Sequence, residues 1–311
     1  MKAVVTGGAG FIGSNLVDAL LQDGHEVHII DNLSTGKREN LVDLVSQTDC
    51  TFIEGSVTDL DLLRTVFRGI DCVFHQAAIP SVQRSVEDPR ATNDANVNGT
   101  LAVLIAARDC GVKKVVYASS SSVYGDTPTL PKTEEMIPNP KSPHAVSKLT
   151  GEYYCRVFSE VYGLKTVCLR YFNVYGPKQD PSSDYAAVIP RFITRVLEQK
   201  PPIIYGDGAQ TRDFTYVEDV AHANIQSMKQ EVEGIFNIAC GERISVNELA
   251  TIVMELVGVN LAVIYDAPRS GDIKDSLAEI SRARKELKYN PEHSLTDGLE
   301  ETIRWFQTAQ T

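Results

Sequence analysis

Two segments in the middle of the chain carry side chains suited to proton transfer. Four consecutive serines run from Ser119 to Ser122, and His144 and Lys148 follow further along, four residues apart. On a helix that spacing puts both side chains on one face. Imidazole accepts a proton near neutral pH, and a lysine cation disfavours a second positive charge beside it. The pattern predicts a neutral histidine base accompanied by hydroxyl groups and an ammonium group.

The serines and the histidine each need an element that places them. Residues 114–118 (KVVYA) predict a buried strand, so the serines lie at the carboxyl end of a sheet, where ligands bind in open α/β folds. Ser142 is a predicted helix N-cap, and Pro143 suits the first helical position. A helix over 143–162 therefore starts just before His144.

Short apolar runs alternate with helical patterns through the first 170 residues. This alternation predicts βαβ units and a Rossmann-like, doubly wound parallel sheet of the α/β class. Beyond residue 170 turn signals cluster, and we expect a smaller C-terminal α/β lobe. The predicted strands are 2–6, 25–31, 51–54, 71–75, 114–118 and 166–170, and the predicted helices are 14–21, 95–108, 143–162, 245–257 and 296–308.

A glycine-rich turn follows the first predicted strand. Gly7, Gly10 and Gly13 occur in TGGAGFIG, which opens the first helix. Glycines allow a tight turn and a close approach of the backbone to a pyrophosphate, and the helix N-terminus supplies N–H groups. Asp31 ends the second strand, where a carboxylate accepts both ribose hydroxyls and repels a 2′-phosphate. The combination predicts NAD, rather than NADP, as the cofactor.

Longer motifs resemble the extended short-chain dehydrogenase/reductases, and within them the UDP-glucose/UDP-N-acetylglucosamine 4-epimerase type. The resemblance covers nearly the whole chain. It rests on TGGAGFIG at 6–13, HQAA at 75–78, NVNGT at 96–100, SSSSVYG at 119–125, RYFNVYGP at 170–177, GDGAQTRDF at 206–214 and PRSGD at 268–272. It implies an isomerase in which resident NAD takes hydride from C4 of a UDP-sugar and returns it to the other face of a transient 4-keto sugar.

The resemblance also implies a role for individual residues and for the two parts of the chain. The implied catalytic residues are Ser120, His144 and Lys148. The implied cofactor-binding residues are Gly7, Gly10, Phe11, Ile12, Gly13, Asp31, Asn32, Ser34, Thr35, Gly36, Ser56, Val57, Gln76, Ala77, Ala78, Asn96, Ser119, Lys148 and Tyr171. The implied substrate-binding residues are Ser81, Ser120, Ser122, Asn173, Val188, Tyr205, Arg212, Arg269, Asp272 and Ser276.

The expected division of the chain follows the same resemblance. We predict an NAD-binding domain over 1–170, to which segments at about 213–240 return, and a lobe over 171–311 that mainly binds the nucleotide sugar. The resemblance further implies a homodimer formed through the helices at 95–108 and 143–162.

One departure from the family concerns the catalytic base. The family uses the tyrosine of Y-x-x-x-K, and His144 holds that position here. An imidazole nitrogen reaches about 2 Å less far than a phenol oxygen from the same backbone. A misplacement of about 1 Å can cost on the order of 10²-fold in rate, so we predict slow epimerisation. Three interpretations stay open: a natural variant that uses histidine, an engineered substitution that impairs the enzyme, or a non-catalytic relative that holds NAD and UDP-sugar.

The residues at a few positions narrow the range of sugars that we expect the site to accept. Relatives acting on UDP-glucuronate tend to carry threonine at Asn173, so the asparagine favours a neutral sugar. In the epimerases that this chain resembles, the residue seven places after the arginine matching Arg269 borders the sugar near its 2-position. Ser276 holds that place here, and the resemblance implies that so small a residue leaves room for an N-acetyl group. Ser121 and Ser122 replace the acid with which related dehydratases and decarboxylases protonate a leaving group. We predict a 4-epimerase that interconverts UDP-glucose with UDP-galactose and also UDP-N-acetylglucosamine with UDP-N-acetylgalactosamine. A UDP-glucuronate 4-epimerase, another nucleotide-sugar oxidoreductase and the non-catalytic relative are the alternatives.

Composition argues against several other classes of protein. The 311 residues include 30 Lys and Arg against 41 Asp and Glu, a net charge of −11, which disfavours binding to nucleic acids. No apolar run reaches the roughly 18 residues that a membrane helix needs. No secretory leader pattern opens the chain. The six cysteines include no C-x-x-C pair, so we expect reduced thiols in a cytoplasmic protein and no metal site.

Overall fold

A parallel sheet forms the centre of the molecule. The computed structural model describes residues 1–181, 187–268 and 274–309. Seven of the strands in these ranges join into one sheet, and the others form two-stranded pairs. The strands are β1 (Lys2–Thr6), β2 (Glu26–Asp31), β3 (Cys50–Glu54), β4 (Cys72–His75), β5 (Lys114–Ser120), β6 (Lys165–Tyr171), β7 (Val174–Tyr175), β8 (Ile203–Tyr205), β9 (Thr211–Arg212), β10 (Thr215–Tyr216), β11 (Gly234–Ile238), β12 (Ile244–Ser245) and β13 (Ile264–Asp266).

The order of the strands creates the binding crevice. Across the large sheet the order is β11-β6-β5-β4-β1-β2-β3, and every neighbouring pair is parallel. β1 lies between β2 and β4, so the chain runs outward from β1 in both directions. In such a doubly wound sheet a crevice opens outside the carboxyl ends of the strands at this switch point. The Rossmann-like α/β class predicted from the sequence is confirmed.

Helices cover both faces of the sheet, which explains why its strands are apolar along their length. On one face α1 packs against α9, and on the other α6 packs against α3 and α7. The helices are α1 (Phe11–Gln22), α2 (Val42–Val45), α3 (Leu60–Val66), α4 (Val82–Glu87), α5 (Pro89–Asn93), α6 (Gly99–Asp109), α7 (Pro143–Tyr162), α8 (Val188–Leu197), α9 (Val217–Lys229), α10 (Val246–Val257) and α11 (Leu295–Ala309).

Helix α7 has the predicted bounds, and the residues at its two ends explain where it begins and where it stops. The Ser142 hydroxyl accepts a hydrogen bond from the Ala145 N–H, and Pro143 occupies the first turn. At the other end Gly163 adopts a left-handed conformation with φ of +71°, which terminates the helix. His144 therefore lies in the first turn, beside the carboxyl ends of the strands.

The helix predicted over 95–108 is instead divided. A π-helical turn covers Asp94–Asn98, and α6 starts at Gly99. A π-helical turn widens the backbone by one residue, and side chains hold it here: Thr100 Oγ1 donates to Asn96 O at 2.6 Å, and Asn96 bonds to the loop after β4. The sequence periodicity does not register such a single-residue insertion.

The later part of the chain forms the smaller lobe. β7 pairs with β10 and β8 with β13 in parallel, and β9 pairs with β12 in the antiparallel sense. α8, α10 and α11 pack around a separate apolar cluster that includes Phe192, Leu249 and Phe306. Two segments instead join the first half, because α9 packs against α1 and β11 extends the sheet beside β6.

All six cysteines lie in the described ranges and carry free thiols. None of the helices described here combines the length and the apolar character that crossing a bilayer demands.

Candidate active site

A cleft of about 1050 Å³ opens at the carboxyl ends of β1, β4 and β5. Its lining comes from loops that are far apart in the chain, which the parallel sheet brings to one edge. Most of the predicted site residues lie along it. Those that line it are Gly7, Gly10, Phe11, Ile12, Gly13, Asp31, Asn32, Ser34, Thr35, Ser56, Val57, Gln76, Ala77, Ala78, Ser81, Ser119, Ser120, His144, Lys148, Tyr171 and Asn173.

At one end of the cleft the glycine turn leaves no room for side chains. A Cβ on Gly13 would lie 2.1 Å from the Gly7 carbonyl oxygen. Gly7 has φ of +70°, and a Cβ there would lie 2.6 Å from Ala77 Cα. The helix α1 that follows has no side-chain cap at its N-terminus, Gly10. Its first N–H groups are thus available to a phosphate.

Asp31 lies beside this turn and is 8% exposed. Its Oδ2 accepts from Ala9 N at 3.0 Å and its Oδ1 from Leu33 N at 2.8 Å. Burial raises the pKa of the carboxyl group, and these two N–H groups act in the opposite direction. Each oxygen retains a lone pair for a ribose hydroxyl. Turn, helix end and acid together fit an adenine dinucleotide.

His144 lies on the cleft wall and is 5% exposed. Its Nδ1 lies 3.2 Å from the carbonyl oxygen of Ile79, which can only accept a hydrogen bond. Nδ1 therefore carries the proton of the neutral ring. Nε2 has no hydrogen-bond partner among the described residues and is not a fully buried atom. The imidazole presents an open lone pair.

Lys148 lies one turn further along α7 and also lines the cleft. Its Nζ donates to Ala118 O at 2.7 Å and lies 5.2 Å from the centre of the Tyr117 ring. Burial lowers the pKa of Lys148 to about 8. Burial, and secondarily the Lys148 charge, lower the pKa of His144 to about 4. The imidazole is therefore neutral at pH 7.

Two of the four consecutive serines differ in role: the hydroxyl of Ser119 is held in the core, and that of Ser120 is free to bind a ligand. Ser119 donates to Glu152 Oε1 at 2.5 Å, and Glu152 forms a buried ion pair with Arg170 at 2.7 Å. Ser119 is thus tied to the core. Ser120 Oγ accepts from Ser122 N at 3.1 Å, which leaves the Ser120 hydroxyl proton free to donate to a ligand. Ser120 is the serine suited to binding a substrate oxygen.

A small polar network lies between β4 and β6. Gln76 Nε2 donates to the Tyr171 hydroxyl at 3.1 Å, and Asn224 Nδ2 donates to the same oxygen at 2.8 Å. Gln76 and Tyr171 line the cleft, whereas Asn224 supports them from α9. Sequence reasoning did not identify Asn224, because nothing local marks a residue that acts from another helix.

The predicted substrate residues lie mainly in the smaller lobe. Asn173 lines the cleft with a left-handed φ of +35°, and its Nδ2 donates to Asp213 O at 2.8 Å and lies 3.5 Å from Ser276 Oγ. Tyr205 stacks with the Arg191 guanidinium at 5.1 Å. Arg212 donates to the Lys274 carbonyl at 3.1 Å.

Some predicted residues lie off the cleft wall. Gly36 packs behind Asp31, where a Cβ would lie 2.9 Å from Oδ2, and Asn96 is buried with its carboxamide bonded to Ile79. The others that do not line the cleft are Ser122, Val188, Tyr205, Arg212 and Ser276. Arg269 and Asp272 lie outside the described residues.

The lining residues that were not predicted as site residues from the sequence include Ile79, Arg84 and Lys178. Lys178 directly follows the RYFNVYGP motif, which is a signal that could have identified it. It has φ of +68°, and burial lowers the pKa of its ammonium group. The Ile79 carbonyl could not be found from the sequence, because its contact with His144 joins residues 65 positions apart.

The chain is similar to a known protein family over most of its length. The model of the NAD dependent epimerase/dehydratase family matches residues 3–239. The chain belongs to this family. Its relatives include a UDP-glucose 4-epimerase from Mycolicibacterium smegmatis, which is 40% identical over 311 residues, covering 99% of each chain.

Solved structures of the family are closely similar in backbone. The UDP-N-acetylglucosamine 4-epimerase of Methanobrevibacter ruminantium, in complex with UDP-N-acetylmuramic acid, is 44% identical with a TM-score of 0.96, covering 99% of this chain and 98% of that one. The UDP-glucose 4-epimerase of Thermotoga maritima, with UDP-glucose, is 38% identical with a TM-score of 0.95 over 100% of both chains. These findings confirm the family resemblance and NAD as the family's cofactor.

Proposed function

We propose that this epimerase/dehydratase family member is a 4-epimerase of UDP-hexoses. It interconverts UDP-glucose with UDP-galactose and UDP-N-acetylglucosamine with UDP-N-acetylgalactosamine. The observation that carries the proposal is the open Nε2 of His144, which shares one cleft with Ser120, Lys148 and a dinucleotide cradle. The similarity to epimerases that are crystallised with UDP-sugars supports the same substrate class.

The chain's own residues divide the chemistry at the sugar 4-hydroxyl. Nε2 of His144 accepts the hydroxyl proton, and the Ser120 hydroxyl donates to the same sugar oxygen as it becomes a carbonyl. When bound, NAD supplies a hydride acceptor that later returns the hydride, so the reaction has no net redox change. After the sugar has rotated in the cleft so that its other face is presented, the His144 imidazolium returns its proton to O4 of the epimer.

Burial and Lys148 together shape this proton transfer. Burial of the imidazole and, secondarily, the Lys148 cation on the same face of α7 keep His144 neutral before reaction. The same two effects make the imidazolium costly. Together they lower the pKa of His144 from 6.5 to about 4, which corresponds to about 3 kcal/mol. Slow turnover is expected.

The cleft favours epimerisation over elimination. Ser121, which follows Ser120 in the chain, lines the cleft with a hydroxyl side chain. A serine cannot protonate a leaving hydroxyl as a carboxylic acid does. Related dehydratases need that acid, so its replacement here supports a reaction in which the sugar keeps all its oxygens.

The proposed division of the chain assigns NAD to residues 1–170 together with about 213–240, and the nucleotide sugar mainly to the remainder of 171–311. The packing of α9 on α1 and the place of β11 in the large sheet support the return of the later segment. The contact of Asn173 with Ser276 at the cleft supports the assignment of the smaller lobe.

A homodimer is part of the proposal, in a cytoplasmic enzyme. The outer face of α7 exposes Val146, Tyr153, Val157 and Val161, of which Tyr153 is 56% and Val161 65% exposed. Their spacing places them on one side of the helix, and such a patch is typical of a protein interface. Val157→Arg should convert the protein from dimer to monomer in light scattering. A wild-type monomer at micromolar concentration would contradict it.

The function is tested by incubating NAD-loaded protein with UDP-glucose, UDP-N-acetylglucosamine and UDP-glucuronate in turn. We expect conversion of the two neutral sugars to their 4-epimers with no free NADH. Net NADH release would indicate a dehydrogenase, conversion of UDP-glucuronate alone would indicate the uronate epimerase, and binding without any product would indicate a non-catalytic relative.

A further inference from the structure

The π-helical turn before α6 and the loop after β4 meet behind His144. The link between them is Asn96, which is 1% exposed. Its Oδ1 accepts from Ile79 N at 2.8 Å, and its Nδ2 donates to Ile79 O at 3.2 Å. One carboxamide thus holds both backbone groups of Ile79 and fixes the direction of its carbonyl.

The Ile79 carbonyl oxygen accepts a second hydrogen bond, from Nδ1 of His144 at 3.2 Å. The opposite tautomer would place the Nδ1 lone pair against the carbonyl lone pairs, which repel it. As long as the carbonyl keeps its direction, the ring proton stays on Nδ1 and Nε2 stays unprotonated.

Asn96 also reaches the helix that carries the imidazole. Its Nδ2 lies 3.0 Å from Ser147 Oγ, and Ser147 Oγ donates to the His144 carbonyl at 2.8 Å. The carboxamide therefore bridges the backbone of His144 and the acceptor of its ring proton. The π-helical turn points it there, and such turns occur frequently at functional sites.

We propose that Asn96 is a positioning residue, which, through the Ile79 carbonyl, sets the Nδ1–H tautomer of His144 and so keeps Nε2 available as the proton acceptor. The inference rests on the proposed function, in which His144 is the base. A phenol has no tautomers, so this effect of Asn96 on the base depends on an imidazole at position 144.

The test uses Asn96→Asp, which has the same shape and removes the Nδ2 donor. The matched control is Asn98→Asp, the same change on an exposed side chain of the same turn, where Nδ2 donates to Asp94 Oδ1 at 2.9 Å. Asn96→Ser, which removes both contacts to Ile79 and adds no charge, is a second variant in case the aspartate does not fold.

The first measurement is ¹⁵N NMR of the NAD-loaded protein labelled on histidine, at pH 7.5, with the His144 signals assigned by His144→Gln. We expect the Nδ1–H tautomer in the wild type and in Asn98→Asp. In Asn96→Asp or Asn96→Ser we expect the Nε2–H tautomer to be populated. A wild-type Nε2–H tautomer, or an unchanged tautomer in both Asn96 variants, would overturn the proposal.

The second measurement is a double-mutant cycle on the epimerisation rate. Asn96→Asp should lower the rate about 10- to 100-fold beside His144, by analogy with the partners that orient metal-ligating histidines. It should lower the rate less in the His144→Tyr background than beside His144. Equal losses in both backgrounds would show a merely structural role. If the wild type turned over no UDP-sugar, the proposed function would fail, and the NMR tautomer alone would decide on Asn96.

Discussion

At the end of the cleft where we propose that the dinucleotide binds, the surface is mainly backbone, whereas at the proposed sugar end it is made of side chains from distant loops. The turn at Gly7 and Gly13 has no space for a Cβ, and Asp31 is held by two backbone N–H groups. At the other end Asn173 meets Ser276 across 103 positions of sequence. The cofactor end is thus sterically fixed, and we expect specificity to vary at the proposed sugar end.

The largest effect on NAD affinity is expected at Gly13, where the backbone leaves no room for a Cβ. Gly13→Ala places a methyl group 2.1 Å from the Gly7 carbonyl oxygen, and no side-chain movement relieves that contact. Overpacking of this kind costs about 1–3 kcal/mol or more, so we expect NAD affinity to fall about tenfold to a hundredfold. The NAD content of the purified protein and titration of the NAD-free form measure it. Gly24→Ala is the control for backbone strain without a clash, since Gly24 has φ of +77° but nothing lies within 4 Å of its Cβ, and equal losses of NAD affinity in both variants would refute the steric account.

A substitution of Asp31 tests how much the carboxylate contributes to NAD binding at the same end of the cleft. Asp31→Ala removes a carboxylate that accepts from Ala9 and Leu33 and faces the cleft. Hydrogen bonds to a charged group contribute about 1.5–3 kcal/mol, so NAD should bind roughly tenfold more weakly or worse, with less discrimination against NADP. Paired titrations with the two dinucleotides measure both quantities. Tighter binding of NADP than of NAD by the wild type would contradict the assignment.

Ser276 tests the variable end. Its hydroxyl lies 3.5 Å from Asn173 Nδ2, beside the cleft. Ser276→Tyr should suppress turnover of the UDP-N-acetylhexosamines about tenfold or more and leave UDP-glucose and UDP-galactose nearly unchanged, because added bulk excludes the acetamido group. Relative kcat/KM for the two pairs is the measurement. Equal loss for both pairs, or none for either, would remove Ser276 as the determinant.

The smallest effect concerns pH. The pKa of His144 is lowered to about 4 and that of Lys148 to about 8. The lone pair of Nε2 is therefore present above about pH 4, and the Lys148 cation is lost above about pH 8. We expect a kcat/KM profile that falls at both limits. Lys148→Met should raise the pKa of His144 only partly toward 6.5, since burial is the larger cause. An NMR titration showing no rise would exclude the charge effect.

The same contrast explains what the sequence could predict. The bounds of β1 and α7 and the glycine turn were predicted because local rules determine them: an apolar run, an N-cap and a steric limit between near neighbours. The π-helical turn at Asp94–Asn98 was missed because one inserted residue leaves the apolar periodicity intact. The contact between His144 and Ile79 was missed because only the tertiary fold creates it. The cofactor end of the site was therefore largely predictable, and the partners of the base were not.

The most direct test of the account compares three proteins in one assay: the wild type, His144→Gln and His144→Tyr, each loaded with NAD and given UDP-glucose. Formation of UDP-galactose is followed by NMR. The account predicts slow conversion by the wild type, a rate at least about 10²-fold lower for His144→Gln, which lacks a base, and faster turnover for His144→Tyr. An undiminished rate in His144→Gln would contradict the role of His144 as the base. A fast wild type with no gain from tyrosine would show that histidine is fully adapted to this cleft.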